Sequence, residues 1–354
     1  MTRVLLVNGG AIPHYRIPVY GYLGKYLQNY GFELTVAAEC IQPGNHPVEF
    51  EYAQVPPSIC SLARFLSTNK VDVLISWVNL KELYLFPLLL FTKLLLCKKT
   101  IYWGHGRDLA DRDAVIKNLA YAAEHALCDS IIIYAEHLKK YVAPRFHKKV
   151  FVANNTLVID YPGVRVRARD KVLAEYGIHT KKNIICVGRL QKRKRLECLV
   201  EAFLCMNRSD IGLIIVGPDS DGIVSKAEGR NIYKLGAIYG VKKFDLLSAA
   251  DVYCLPGAVG LSIIDAFHCG LPFVTEEGDE SAEIMYLKDG INGFIVPRGN
   301  IVEMAQKLEL LLDNDALRRQ FSEAAKREIA ENGHIDKFCT GFRDALFHAL
   351  GRQA

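Results

Sequence analysis

Short apolar runs alternate with longer amphipathic stretches along most of the chain. Residues 4–7 (VLLV) form a run that stops at Asn8, Gly9 and Gly10, which predicts a buried strand ending in a tight turn. Residues 18–30 then carry helical periodicity, with Gly31 as the stop. Further strands are predicted at 32–38, 71–76, 100–103, 130–134 and 150–152. The pattern pauses over 154–170, where an Asn-Asn-Thr, a Pro-Gly pair and several arginines replace the periodicity. It resumes with strands at 183–187, 212–216, 231–235, 252–255, 272–275 and 294–296. Helices are predicted between them at 195–207, 243–249 and 262–269, with an amphipathic one at 301–313. The last forty residues read as helical with a break at Asn332 and Gly333. Strands that alternate with helices and lack an exposed face imply parallel sheets covered on both sides. The expected organisation is an N-terminal domain over 1–160, a second over 161–330, and a C-terminal helix in 331–354 that packs back on the first.

Composition narrows this picture. Half the residues are hydrophobic and 23% charged, which excludes a mainly disordered chain. A net charge of +5 is too small to argue for a nucleic-acid partner. The ten cysteines form no CxxC pair, and the start, MTRVLLVNGG, lacks a long apolar signal core. A reduced, cytoplasmic protein is expected, without a disulfide framework or a metal site. The most apolar stretch, 83–97, is shorter than the roughly 20 residues a bilayer span needs, and Pro87 and Lys93 interrupt it. Two readings stand for it: a buried helix, or an interfacial helix whose lysines reach lipid head groups.

Parallel sheets of this kind bind ligands at the carboxyl ends of their strands. Two such edges facing across a cleft would hold one ligand each, so residues just after strands carry the chemistry. After 183–187 come Arg189, Lys192, Arg193, Lys194 and Arg195, five cations in seven positions. A solvated charge run is the plain alternative, but this run sits where a strand hands over to a helix, a position that favours anions. A phosphate site is expected, with Arg189 supplying a forked contact and Lys194 a point charge. After 252–255, Gly257 and Gly260 allow close backbone approach, and the amides of Leu261 and Ser262 open a helix. Asp265, one turn on, is placed to accept bonds from sugar hydroxyls, although a first-turn Asp is also ordinary helix chemistry. In the first half, His105 lies between Gly104 and Gly106 at a strand end, and the loop 8–16 offers amides with His14 and Arg16 but no GxGxxG spacing.

Taken together, Gly188-Arg189-Leu190 with Lys194, the VGPD of 216–219 and the stretch AADVYCLPGAVGLSIIDAFHCGLPFV resemble glycosyltransferase family 4. Glu283-Ile284 and the DGINGFIV of 289–296 resemble it too. The resemblance is strong over 183–300 and weaker before. It implies the α/β GT-B fold, two facing Rossmann-like doubly wound domains with an interdomain cleft. By this resemblance Arg189 and Lys194 neutralise the diphosphate of a nucleotide sugar, and Gly260, Leu261 and Ser262 contact its phosphates. Asp265 stands where the family has the last Glu of an E-x7-E pattern and would hold the ribose, while Ala237 and Ile238 stand at the base. His105 would lie near the donor sugar and Gly10 near the phosphates. The first Glu of E-x7-E falls on Gly257, so that acid is absent, and the glycine that often follows the lysine is Arg195.

The activity so implied is transfer of a hexose-type sugar from a nucleotide-diphosphate sugar, UDP-linked or else GDP-linked, with retention and without a required cofactor. The acceptor would be a glycan or lipid-linked glycan of surface polysaccharide or glycolipid synthesis. Residues 139–171 hold nine Lys/Arg against two Asp/Glu, which adds a possible anionic membrane surface, and peripheral attachment at its cytoplasmic face, to the partners. A nucleotide-sugar epimerase of the same fold and a non-catalytic two-lobed sugar- or nucleotide-binding protein are the alternatives. The epimerase would release a changed sugar without any acceptor.

Overall fold

The computed structural model describes residues 1–44, 46–76, 85–96, 98–107, 115–159, 167–219, 221–223, 229–278 and 281–352, the side chains of 85–87, 116 and 117 apart. The chain divides into two compact units, Met1–Val158 with His334–Ala354, and Ile159–Gly333.

The first unit contains β1 (Thr2–Val7), β2 (Ala11–Ile12), α1 (Ile17–Gln28), β3 (Phe32–Ala38), β4 (Cys40–Ile41), β5 (Glu51–Gln54), α2 (Ile59–Thr68) and β6 (Val73–Ser76). It continues through α3 (Leu85–Leu90), β7 (Lys99–Gly104), α4 (Val115–Leu127), β8 (Ser130–Ile133) and β9 (Val150–Val152). Seven strands form one parallel sheet in the order β5-β3-β1-β6-β7-β8-β9, while β2 and β4 pair separately. The central strand β1 explains why its sequence has no polar alternation. Val4 pairs with Leu34 on one side and Val73 on the other, and Val4 to Val7 are all buried. Helix α1 takes Pro18 in its first turn, where no amide partner is needed, and buries Val19, Tyr20, Leu23 and Leu27 on one face. Ser58 caps α2 by accepting from the Ser61 amide at 3.2 Å.

The apolar stretch at 83–97 is interrupted, as its sequence suggests. Helix α3 passes into a π-helical turn over Phe91–Leu95, while Leu83, Tyr84 and Cys97 lie outside the described residues. No helix among the described residues is long and apolar enough to cross a membrane. Lys93 pairs with Asp129 at 3.0 Å and Lys98 donates to the Val71 carbonyl, so these two lysines serve the fold. The exposed part is apolar: Leu94 and Leu95 here, Val115 and Leu119 on α4.

The second unit contains α5 (Arg169–Glu175), β10 (Lys182–Val187), α6 (Leu196–Met206), β11 (Ile211–Val216), β12 (Ile232–Lys234), α7 (Gly240–Ala249), β13 (Val252–Cys254), α8 (Ser262–His268), β14 (Phe273–Glu276), β15 (Gly293–Val296), α9 (Ile301–Asp313) and α10 (Asp315–Asn332). Its parallel sheet has the order β12-β11-β10-β13-β14-β15. The chain winds outward from β10 to β12, then returns to the other side of β10 as β13. The strand order therefore reverses between β10 and β13, the point at which open α/β sheets bind ligands. Arg169 locks the opposite end: its guanidinium grips Asp251 at 2.9 and 2.7 Å, and Asp251 also accepts the Asn183 amide at 2.7 Å.

The last helix, α11 (Ile335–Ala349), belongs to the first unit. It buries Phe338, Phe342, Ala345 and Leu346 completely. Phe342 meets the Trp103 ring at 5.1 Å, and Tyr22 of α1 bonds Asp336 at 2.6 Å. Each buried aromatic or leucine is worth about 1.5–3 kcal/mol as an upper figure.

Candidate functional site

In the second unit, the loops after β10, β11, β12 and β13 are laced together, those after β10 and β13 at the switch point. Gly188 donates to Val216 O at 2.9 Å, Leu190 to Pro218 O at 3.0 Å, and Gly217 to Gly236 O at 2.7 Å. Gly217, at φ 148°, admits no side chain, because a Cβ would overlap the Gly188 carbonyl.

Lys192–Lys194 form one 3-10 turn, and of its three cations only Lys194 is buried. Its ammonium donates to the carbonyls of Ala258 and Val259, the latter at 3.2 Å. Two backbone bonds join the same loops, Gly257 N to Lys194 O at 3.0 Å and Ala258 N to Arg193 O at 3.1 Å. A Cβ on Gly257 would fall on Arg193 O and lie 2.7 Å from Lys194 C. Backbone thus occupies the space that a side chain at 257, the position of the missing acid, would need. Lys194 and Gly260 are also neighbours, the lysine Nζ lying 3.7 Å from where a Gly260 Cβ would stand.

Arg189 is exposed and makes no hydrogen bond or ion pair among the described residues. Leu261 is the residue before α8, and Ser262 bonds Val259 O at 2.9 Å. Asp265, in the first turn of α8, pairs with Lys243 at 2.7 Å. Ala237 is exposed and Ile238 half-buried in the loop between β12 and α7. The unit therefore gathers Arg189, Lys194, Gly260, Leu261, Ser262, Asp265, Ala237 and Ile238 on loops and first turns that follow its strands.

Arg195 departs from the glycine common in the family and still adopts the left-handed backbone, φ 52°. Left-handed geometry costs a non-glycine residue about 1–2 kcal/mol. A buried partner holds it there: Glu276, at the end of β14, accepts Arg195 Nε at 2.6 Å and the Gly299 amide at 3.1 Å. Neither Glu276 nor Lys243 is legible as a site residue from the sequence, because each joins a different βα segment from its partner.

His105 and Gly10 lie in the first unit. His105 follows β7, its ring 4.7 Å from that of Tyr134. Arg16, which is buried, sits 5.5 Å from the Trp103 ring and 5.8 Å from Tyr134, and donates to Asn155 Oδ1 at 2.8 Å. Gly10 is half-buried in the loop after β1, with its carbonyl bonded by Glu39 at 3.3 Å. Burial first, then the charges of Arg16 and His137, lower the His105 pKa to about 4. The imidazole is therefore held in its neutral form at neutral pH.

This shift has a sign. The folded chain favours neutral His105, so its contribution to stability is full above about pH 6.5 and is lost as pH falls towards 4. His125, lowered to about 4 chiefly by burial, acts in the same direction. Glu124, pushed up by burial, acts oppositely, losing stability as pH rises above its ordinary value of 4.5. Because these oppose, the difference between proteins is the clean readout. The melting temperature of His105→Gln should fall less than that of wild type between pH 6.5 and 4.5, and parallel curves would refute the assignment.

Comparison with known proteins supplies the family. Residues 168–328 match the family model of glycosyl transferases group 1. An uncharacterized glycosyltransferase of Methanocaldococcus jannaschii is 25% identical over 273 residues, 70% of this chain and 67% of that protein. A phosphatidyl-myo-inositol mannosyltransferase of Mycobacterium leprae is 30% identical over 158 residues, 42% of each. The crystal structure of Anabaena HepE in complex with UDP superposes with a TM-score of 0.73 at 12% identity, covering 98% of this chain and 99% of that one. Residues 168–328 are a domain of the glycosyl transferases group 1 family and the chain has the GT-B fold, in keeping with the family 4 resemblance of its motifs.

Proposed function

We propose that the chain transfers a hexose-type sugar from a nucleotide-diphosphate sugar, UDP-linked by preference, to a glycan or lipid-linked glycan acceptor. The observation that carries this reading is the cationic loop 189–195 laced to 256–260 at the switch point of the second sheet. The bond between the anomeric carbon and the diphosphate breaks, and its electron pair leaves with the phosphate oxygen. An acceptor hydroxyl forms the new glycosidic bond and gives up its proton. Charge builds on the diphosphate as the bond breaks, so fixed cations stabilise the transition state more than the bound donor. Arg189 and Lys194 are those cations, with the Gly260–Leu261–Ser262 backbone beside them. In this reading they neutralise the leaving group and no metal is required. Asp265 holds the ribose, Ala237 and Ile238 border the base, Gly10 approaches the phosphates, and neutral His105 bonds the donor sugar. Retention of configuration follows the family resemblance.

UDP is favoured because a protein of the same fold binds it. A lipid-linked acceptor in surface polysaccharide or glycolipid synthesis is favoured by the phosphatidylinositol mannosyltransferase relative and by the exposed leucines of Leu94 and Leu95. On this reading the protein works at an anionic membrane surface, on its cytoplasmic side, with these leucines against the lipid.

The test is a thermal-shift series with UDP, GDP, ADP and their sugar conjugates. A ligand at 100 times its Kd adds about 2.7 kcal/mol, a shift of several degrees. One nucleotide should shift the melt selectively, and its sugar conjugate should be consumed only with acceptor present. No shift with any nucleotide refutes the donor site; a changed sugar without acceptor favours the epimerase. Sedimentation with phosphatidylglycerol vesicles tests the membrane part: wild type should co-sediment, Leu94→Asp with Leu95→Asp should not, and a wild-type protein left in solution ends that part.

A further inference from the structure

Asp265 carries a cation that the ribose role does not require. Its Oδ2 takes the Lys243 ammonium at 2.7 Å, while its Oδ1 has no hydrogen-bond partner among the described residues. Each residue is the fourth of its helix, Lys243 in α7 from Gly240 and Asp265 in α8 from Ser262. Those helices follow β12 and β13, so both first turns start at the carboxyl edge of the sheet, beside the loop holding Ala237 and Ile238. The two side chains are 20% and 13% exposed, enough to be met by a ligand and too little for a freely solvated pair.

The field of its own helix does not favour Lys243, whose ammonium also lies 4.4 Å from the centre of the Phe244 ring. An aspartate in a first helical turn is already stabilised by the helix amides. A lysine in a first turn is disfavoured by the same field, and α7 has no acidic residue there to offset it. What the pair does present is a donor beside an acceptor. A vicinal diol is its complement, since each hydroxyl both donates and accepts.

We infer that Lys243 is a specificity-determining residue that reads, with Asp265, the ribose diol of the donor nucleotide. Asp265 Oδ1 accepts from one hydroxyl and Lys243 Nζ donates to its neighbour. This assignment rests on the donor-site reading above and adds a residue to it. It makes the site selective for ribose over deoxyribose, whichever sugar is transferred.

The test compares UDP with 2′,3′-dideoxy-UDP by calorimetry on the full chain. Wild type should prefer UDP by at least about tenfold, the worth of one hydrogen bond to a charged group. Lys243→Met should lose about tenfold in UDP affinity and leave dideoxy-UDP binding unchanged. Lys243→Arg, which retains the charge and its donors, should keep the preference and decides the matter if the methionine variant does not fold. Equal weakening of both nucleotides would mark a merely structural lysine and overturn the inference, as would unchanged UDP affinity or loss of the preference in the arginine variant. A wild-type chain that binds none of UDP, GDP or ADP would overturn the donor-site reading, and the role of Lys243 with it.

Discussion

Arg189→Ala should lower kcat/KM for the donor about a hundredfold and leave the melting temperature unchanged, whereas Lys194→Ala should lower both. The rate term is common to the two. Removing one preorganised group that stabilises developing negative charge costs about 2.7–4 kcal/mol of barrier. The stability term separates them. Arg189 is exposed and unpartnered among the described residues, so its truncation leaves no buried group unsatisfied. The Lys194 ammonium is buried and bonded to two carbonyls of the facing loop. Hydrogen bonds to a charged group contribute about 1.5–3 kcal/mol, so losing them should shift the melt by several degrees. Lys194→Ala therefore acts both as a lost cation and as an opened staple between 192–195 and 256–260. Wild-type turnover in a folded Arg189→Ala protein would refute the phosphate role of this loop. A Lys194→Ala protein with a lowered melt and normal turnover would reduce Lys194 to the staple alone.

The parts of the molecule that the sequence makes legible share a cause. β1, β8, β10 and β11 are buried on both faces and appear as unbroken apolar runs. β5 escapes detection because Glu51–Gln54 is an edge strand with no buried residue and no apolar alternation. α5 escapes because it follows the aperiodic stretch where the domain boundary is expected. The basic run and His105 are legible because they follow strands at once, and position turns ordinary residues into candidates. Contacts between segments leave no such mark. Lys243 stands 22 positions from Asp265, and Arg195 stands 81 from Glu276. Nothing in an arginine announces a left-handed backbone, which becomes understandable only when the buried Glu276 is seen holding it. Likewise one of the two readings of 83–97 sends its lysines to lipid head groups, while the fold turns Lys93 and Lys98 to Asp129 and the Val71 carbonyl.

Gly257→Glu, which restores the acid of the family pattern, should abolish donor turnover, and Gly257→Ala should impair it nearly as much. The family resemblance alone suggests the reverse, since its pattern has a carboxylate there. The backbone decides against it. A Cβ at 257 would overlap Arg193 O and lie 2.7 Å from Lys194 C and 2.9 Å from Lys194 Cα. These are main-chain atoms, and two hydrogen bonds to residues 257 and 258 hold them in place. Relief requires the loops to part, which breaks those bonds and draws Ala258 and Val259 away from the Lys194 ammonium. Overpacking of this kind costs about 1–3 kcal/mol, and in a unit of this size each kcal/mol lowers the melt by about 2–4 °C. The methyl group alone is therefore enough to lower the melt and to displace a cation that must sit against the leaving diphosphate. Glutamate adds a negative charge where the diphosphate is to be bound, so its rate should fall below that of alanine. Measured side by side, both variants should remain folded at 25 °C, melt several degrees early and turn over donor at least a hundredfold slower. Gly257→Ala with the wild-type melt and rate would show that the loops do not pack this closely. Gly257→Glu faster than wild type would show that the acid is missing by loss rather than excluded by the backbone.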